Sequence, residues 1–567
     1  MDMYSEKRKR GRYGAAEFAD RLILCAVLAG IALFILYPIA SVVATSFFKQ
    51  GRFTLEYYVE LASPKSVRLI KNSLWVAALS SVFTTAAAFF IALAAFAADG
   101  RKRQFIRKAL LLTMISPPFV SALAYILLFG RRGLVTYQLL GLSVNPYGWH
   151  GIVILQVIGS VSFAALMLLN SFDNMDQRMI LASRDLGATP GQTLLSVIFP
   201  LMRPGILSVL FMLFTMNLAD FGTPIVIGGN YKVLASEAYT QAISTANLGR
   251  ASAISVLMVP AAAVAFYFYY RAMKLNGENS ATDRTAFDGA PVYSLTVWVA
   301  AVTWGVTGLF FLVMALKYGN IFLSAFSNTA SGRLDFTLDY FGKLPRSQWS
   351  SFRHSLVYSA IAAFAASLLG ILLSYYTHRR KIRGMRGAEF LASLPYIIPG
   401  TFYGLGYVAA FSHPPIYIRG TSAIIILNMA FRQISLTNKA SNAAFAGLNR
   451  RLEDAARDLG ASRTDVLFGV ILPLLKPTFV TGFISVFTSC MTAVGAIIFL
   501  ISPGKNVASA ELFQSIENGR YGVASVQAVF IILVTVGINL IAMSLLNRSD
   551  RGGKCDVFAD EKPEKAV

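Results

Sequence analysis

Residues that carry catalysis are few in this chain, and they are scattered. The four histidines, His150, His354, His378 and His413, lie far apart and show no metal-ligand spacing. The three cysteines, Cys25, Cys490 and Cys555, form no pairing, zinc or redox pattern. Two of them sit in apolar runs, where plain buried packing is the expectation. No Gly-x-x-x-x-Gly-Lys-[Ser/Thr] occurs, because Gly504-Lys505 and Gly553-Lys554 lack the upstream glycine and the following hydroxyl residue. The chain is therefore not expected to hydrolyse ATP. No nucleophile, base and orienting group assemble from sequence neighbours, so an integral-membrane enzyme is the weaker class. No cofactor and no metal site are expected.

Charge is scarce as well. Only 14% of residues are charged, against about 25% in a soluble domain, while 55% are hydrophobic and the mean hydropathy is +0.57. Apolar windows at residues 22–48, 73–98, 251–270 and 523–546 are long enough to cross a bilayer as helices. The short alternating segments of a membrane β-barrel are missing. Acids are outnumbered, 29 to 51, which gives a net charge of +22. The basic residues form short clusters beside apolar runs, so they read as cytoplasmic loop residues and not as a nucleic-acid face. The first apolar run has no evident small-residue cleavage site and reads as a retained helix.

What is present is a plan that occurs twice. Residues 1–20 form a basic tail that includes Lys7-Arg8-Lys9-Arg10-Gly11-Arg12. Residues 21–273 form a first half, with helices expected at 22–48, 73–98, 109–129, 151–170, 205–227 and 251–273. Residues 274–291 are polar and read as a linker. Residues 292–546 form a second half, with helices expected at 292–316, 355–377, 390–411, 421–436, 478–501 and 523–546. Residues 547–567 are a charged tail, expected to be disordered. Basic clusters follow the second helix of each half, at 99–108 and 378–383. Phe53-Thr54-Leu55-Glu56-Tyr57-Tyr58 is echoed by Phe336-Thr337-Leu338-Asp339-Tyr340-Phe341. Pro117-Pro118 is echoed by Pro395 and Pro399. The expected fold is all-α and integral to the membrane: about twelve transmembrane helices in two parallel six-helix repeats, with both termini and the linker cytoplasmic.

The closest repetition is polar. Ala182-Ser183-Arg184-Asp185-Leu186-Gly187-Ala188 leads to Pro200 and Pro204. Ala455-Ala456-Arg457-Asp458-Leu459-Gly460-Ala461 leads to Pro473 and Pro477. Each copy reads as a helix, a glycine turn that a Cβ would oppose, a second short helix capped at Thr189 or Ser462, and a proline-marked return to the bilayer. Small alanines allow a partner to approach closely. Polar loops of this kind, duplicated in an apolar chain, imply a shared surface requirement.

This pattern resembles the EAA loop of binding-protein-dependent ABC importer permeases, here as Asp454-Ala455-Ala456, Gly460 and Ile471-Leu472-Pro473. The first copy departs from it, with Leu181-Ala182-Ser183 in place of the acidic-Ala-Ala opening. The resemblance covers essentially the whole chain, as two fused permease halves. It implies that both loops, about 173–204 and 440–477, dock into clefts of a separate ABC ATPase dimer at the cytoplasmic face. The coupling residues carried over are Ala182, Arg184, Asp185, Gly187, Asp454, Ala455, Ala456, Arg457, Asp458 and Gly460. The remaining implied partners are an extracytoplasmic solute-binding protein and membrane lipid, with no nucleic acid, in a bacterial inner membrane.

Within the spans, Asp220 is the foremost pathway candidate. Its counterpart is Ala493, so the acid is present on one side only. Facing the seam between halves it would attract a cation. The alternative is a carboxylate satisfied by a neighbouring helix. Pro118 and Pro399 lie in matching helices and serve either as gating bends or as packing kinks. Arg432, beside Asn428 and Gln433, is expected to snorkel to the cytoplasmic surface. The layout is most similar to ferric-iron importers, with Ser116-Pro117-Pro118-Phe119-Val120 and Tyr147-Gly148-Trp149-His150-Gly151 adding to the likeness. Importers for thiamine, aminoethylphosphonate, polyamines and sulfate share the architecture. A secondary transporter driven by an ion gradient is the rival class.

Overall fold

The computed structural model describes residues 2–114, 118–131, 133–142, 145–278, 293–328, 335–344 and 346–555, with side chains omitted at the ends of that range. The chain is helical almost throughout. The first half opens with α1 (Asp2–Ile31), a π-turn and α2 (Tyr37–Phe47). A small hairpin of β1 (Phe48–Lys49) and β2 (Arg52–Phe53) follows, then α3 (Glu56–Leu61), α4 (Pro64–Phe96), α5 (Gly100–Thr113), α6 (Pro118–Phe129) and α7 (Trp149–Asp173). Next come α8 (Gln177–Asp185), α9 (Pro190–Thr193), α10 (Phe199–Leu218), α11 (Gly222–Ile227), α12 (Leu234–Ile243) and α13 (Leu248–Glu278).

The second half repeats this order. It contains α14 (Val297–Phe326), the hairpin β3 (Ser327–Asn328) and β4 (Asp335–Phe336), α15 (Asp339–Gly342), α16 (Ser347–Ser374), α17 (Met385–Ile397) and α18 (Gly400–Ala410). Then follow α19 (Ser422–Gly447), α20 (Arg451–Asp458), α21 (Arg463–Val466), α22 (Leu472–Leu474), α23 (Lys476–Thr492), α24 (Ala508–Glu517) and α25 (Tyr521–Cys555).

The repeat extends to single contacts. Phe53 stacks on Phe47 at 6.0 Å, and Phe336 stacks on Phe326 at 6.4 Å. The Phe53–Tyr58 echo is thus a hairpin strand and a short helix in both halves. Tyr57 lies against Gly249 at the start of α13, and Tyr340 against Gly522 at the start of α25; a Cβ at either glycine would collide with the ring. Ser73 Oγ accepts the Leu234 amide at 2.7 Å, and Ser355 Oγ accepts the Ala508 amide at 2.8 Å. Both bonds satisfy an otherwise unpaired donor at a helix start inside apolar surroundings.

Small residues bring the core helices together. α4 packs along α7 and α16 along α19. Ala362, Ala363, Ala366, Ser367 and Gly370 of α16 are buried, and Thr437 Oγ1 donates to the Ala366 carbonyl at 2.7 Å. A Cβ at Gly370 would strike Thr437, so glycine sets the approach of the two helices, as close packing in a bilayer requires. π-turns at Leu194–Ile198 and Leu467–Ile471 precede Pro200 and Pro473. In each the amide that closes the turn reaches five residues back, to Leu194 or Leu467, which absorbs the donor a proline lacks.

Among the described residues nine helices are long and apolar enough to cross a membrane, or ten if the bent pair Arg463–Leu474 and Lys476–Thr492, set at 68°, makes one span. Two of the twelve expected spans fall outside this set. The one at 390–411 is split at Pro399 into α17 and α18, and α19 carries Asn428, Arg432, Gln433, Asn438 and Lys439. The expected continuous helices at 205–227 and 478–501 are also interrupted, at Ala219-Asp220-Phe221 and after Thr492. The helix expected to end at 316 continues as α14 to Phe326, so Lys317 lies inside a helix and is buried. Most of the linker 274–291, Pro117 and the end of the 547–567 tail lie outside the described residues, and α25 extends to Cys555.

The leading helix of each half belongs to the core of the other. Val27, Ile31, Ile35 and Val42 of the first half join the cluster built on α16, α18 and α19. Phe310 and Met314 of α14 join the cluster built on α4, α7 and α10.

Candidate functional site

The duplicated polar segments fold alike. α8 ends at Asp185, Gly187 takes φ +79°, and Thr189 heads a capping box with Gln192 at the start of α9. α20 ends at Asp458, Gly460 takes φ +84°, and Ser462 heads a capping box with Asp465 at the start of α21. Both glycines occupy the left-handed region that side chains oppose. Ala182, Arg184, Asp185 and Gly187 are exposed, as are Asp454, Ala455, Arg457, Asp458 and Gly460, while Ala456 is half-buried. Between the charged residues and each glycine stands an apolar tip: Leu186 is 88% exposed and Leu459 90%. Met179 and Leu452 are exposed at matching places, as are Leu195 and Phe468. An exposed apolar set thus recurs with the repeat.

The loops are held from behind. Arg103 and Arg107 of α5 pair with Asp173, the last residue of α7. Arg379 pairs with buried Glu453 and donates to the Leu448 carbonyl at 3.2 Å. The basic clusters after α4 and α16 therefore anchor the loops. A second brace comes from the opposite half. Tyr293, just before α14, donates to the Pro190 carbonyl at 2.8 Å. On the other side Asp20 of α1 pairs with Arg380, and Glu17 lies 3.8 Å from Arg463.

The interrupted helices meet at the seam between halves. Asp220 fixes the first interruption: its Oδ1 accepts the Thr223 amide at 3.2 Å and its Oδ2 accepts Gln156 Nε2 at 3.1 Å. Gln156 belongs to α7 and also donates to the Asn217 carbonyl. Both carboxylate oxygens thus have donors, one of them from a neighbouring helix. At the second interruption Ser509 donates to the Ala493 carbonyl at 2.9 Å. Five rings close over this seam. Phe119 contacts Phe513 at 4.5 Å and Phe221 contacts Tyr239 at 5.2 Å. Tyr239 lies 6.1 Å from Phe513 and 5.9 Å from Phe499. Phe119 directly follows Pro118, and Pro399 is the N-cap of α18. A Cβ at Gly222 would come within 2.5 Å of the Phe119 ring, so the interruption packs hard against α6.

Arg432 does not reach the loop end of α19, where snorkelling would have placed it. It lies fifteen residues before the end of α19 at Gly447, about 22 Å at 1.5 Å per residue, beyond the reach of a snorkelling side chain. Its guanidinium rests instead on Gly400, the first residue of α18, with Nη2 2.9 Å from where a Cβ would stand. Gln433 beside it donates to Ser489 at 2.6 Å.

Residues 85–274 and 366–552 each match the binding-protein-dependent transport system inner membrane component family. The chain belongs to that family. It is similar to the ferric transport system permease protein FbpB of Actinobacillus pleuropneumoniae, 30% identical over 546 residues, covering 92% of this chain and 78% of that one. It is similar also to the protein named FbpB 1 of Haemophilus influenzae, 30% identical over 509 residues and covering 87% and 79% of the two chains. The molybdate/tungstate transport system permease protein WtpB of Thermococcus kodakarensis is 26% identical over 188 residues, 33% of this chain and 74% of that one. The protein is an inner-membrane, multi-pass permease component of a binding-protein-dependent ABC importer, a class that is not itself catalytic.

Several features of the permease escape sequence reasoning. Leu186 and Leu459 were visible as matching apolar residues in polar loops, but only their exposure sets them apart. The short helices α12 and α24 were hidden because 234–243 and 508–517 are too short for a span. Tyr293 gave no local signal, since its partner Pro190 is 103 residues away.

Proposed function

We propose that this permease carries ferric iron, delivered by an extracytoplasmic binding protein, by alternating access driven by a separate ATPase dimer. The single observation that carries the coupling is the pair of equivalent loops with Leu186 and Leu459 at their tips. The ferric cargo is supported by the relatives at 30% identity along most of the chain. In this reading the chain crosses the bilayer twelve times, in halves 21–273 and 292–546 joined by a cytoplasmic linker at 274–291. The tails 1–20 and 547–567 are cytoplasmic. α17 with α18, and α19, supply the two crossings that composition alone does not mark. Ala182, Arg184, Asp185, Gly187, Asp454, Ala455, Ala456, Arg457, Asp458 and Gly460 form the faces that the ATPase grips.

The ring cluster of Phe119, Phe221, Tyr239, Phe499 and Phe513 then closes the path on the extracytoplasmic side. Phe221, Tyr239, Phe499 and Phe513 sit on the segments that lie beyond α10 and α23 as the chain runs away from the loops, and Phe119 of α6 packs against them. Asp220 sets the interruption that carries Phe221, and Pro118 and Pro399 start the matching helices against which the plug packs. The test is reconstitution in liposomes with the cognate ATPase and binding protein. Uptake of labelled ferric iron that needs ATP, the binding protein and both loops is the expected result. Uptake by the permease alone under a proton or sodium gradient would overturn it, and uptake of a phosphonate without iron would replace the cargo.

A further inference from the structure

One positive charge near the aromatic rings has no counter-charge facing it among the described residues. Arg432 makes no hydrogen bond or ion pair among the described residues, and it is partly exposed. The titratable side chains that face it are Tyr396, Tyr403 and Cys490, none of them a carboxylate. Tyr403 directs its hydroxyl proton to the Phe34 carbonyl at 2.7 Å. The guanidinium also abuts the amino end of α18, an eleven-residue helix that begins at Gly400. That end carries the positive pole of the helix dipole. Two positive features thus face one another, an arrangement that a bound anion stabilises.

A second observation lies one turn away. Asn428, at i−4 from Arg432 on the same face of α19, is 1% exposed, yet neither its amide nitrogen nor its oxygen has a partner. Thr401, next to Gly400, is fully buried with its hydroxyl unpartnered. Buried polar atoms without protein partners are places for a water or a ligand, and these flank the guanidinium on its own helix and on α18.

The place is on the path. Gly495 touches both Gly400 and the Phe221 ring of the other half, each 3.9 Å from its would-be Cβ. Gly404, one turn farther along α18, lies against Phe499 of the plug. Arg432 is therefore at the seam, on the loop side of the plug. In the first half the equivalent position is Gly159, so the cation is present on one side only. Asp220 is not among the titratable groups that face Arg432, and its two oxygens are turned to the Thr223 amide and to Gln156.

We propose that Arg432, Asn428 and the amino end of α18 bind an oxyanion group, a carboxylate or phosphate, that travels with the ferric ion. The cargo crosses as an anion-bearing complex and not as a bare trivalent cation. This rests on the ferric reading given above and names the chemical form of that cargo. Guanidinium and amide donors suit planar or tetrahedral oxyanions.

The test uses the full complex in liposomes, with labelled iron supplied together with labelled phosphate or labelled citrate. The expected result is that one anion label enters in step with iron, and which one enters identifies the source. R432Q should lower iron uptake at least about tenfold, the loss of one charge-assisted hydrogen bond, and R432K should restore part of it. Co-elution of R432Q with the ATPase on size exclusion establishes folding. N428L provides a second variant with the same expected direction. Iron entering without either anion, at a rate unchanged in R432Q, would overturn the proposal. If the wild-type complex moves an oxyanion but no iron, and R432Q abolishes that, the anion site stands and the ferric reading falls.

Discussion

Replacing Leu459 with alanine should weaken the hold of the ATPase on the second loop and leave the permease folded. Leu459 is 90% exposed, so it adds little packing within the isolated chain, and such a surface change alters stability by about 0.5 kcal/mol or less. In a docked complex the side chain would be buried. Fully burying a leucine is worth ~1.5–3 kcal/mol, and alanine retains only its β-carbon, so L459A forfeits about 2 kcal/mol at a well-fitted cleft. That corresponds to a Kd roughly 30-fold weaker. Leu186 has nearly the same exposure, so L186A should cost about as much. Because both loops engage together, the double variant should lose more than either single one. The assay is ATPase binding to the permease held in nanodiscs, with the Tm of the permease alone as the folding control. L309A, at an exposed position on α14, controls for loss of apolar surface as such. An unchanged Kd in the folded double variant would refute docking through the loop tips.

Other substitutions probe the remaining devices. G370A should push α16 from α19, at a cost of about 1–3 kcal/mol read as a lower Tm, whereas G308A, with open space around it, should not. F513A removes the ring nearest Phe119 and should uncouple ATP hydrolysis from the binding protein or allow small solutes to leak; intact sealing would argue against the plug. Y293F loses a bond of about 1 kcal/mol to the first loop, so amide exchange around Pro190 should quicken about fivefold. Burial pushes the Tyr293 phenol up, so at high pH this donor should stay protonated after exposed tyrosines ionise, and the brace should outlast them.

The twofold plan was legible because it was written in residues that have few substitutes. Gly187 and Gly460 supply left-handed turns, Pro200 and Pro473 mark the return to the bilayer, and the Phe53 and Phe336 stretches place a ring and a helix start at fixed spacing. The interruptions were less legible. A run such as 205–227 is apolar enough to read as one span, and composition does not reveal that its Asp220 accepts the Thr223 amide at a new helix start. Arg432 was misplaced for a related reason. Snorkelling is the cheaper option for a cation near a helix end, and only the register of α19 against α18 shows that Arg432 sits too deep for it. Long-range braces such as Tyr293 to Pro190 leave no trace in local sequence at all.

Those braces explain how two halves joined by one linker can move as partners. Each half lends its leading segment to the other: α1 and α2 pack on elements from α16 to α19, and α14 packs on α4 and α6. The same exchange is repeated at the loops, where Asp20 and Glu17 reach Arg380 and Arg463, and Tyr293 reaches Pro190. A pull on either loop is therefore resisted by a helix that belongs to the core of both halves. Rocking one half alone would break an ion pair or a buried hydrogen bond in the other, whereas a concerted rotation preserves both. The aromatic rings at the seam meet this constraint at the opposite end, since Tyr239 and Phe513 occupy equivalent positions and touch each other. In the proposed cycle, a plug built from rings of both halves would open only when both turn, which would tie closure at the seam to grip at the loops.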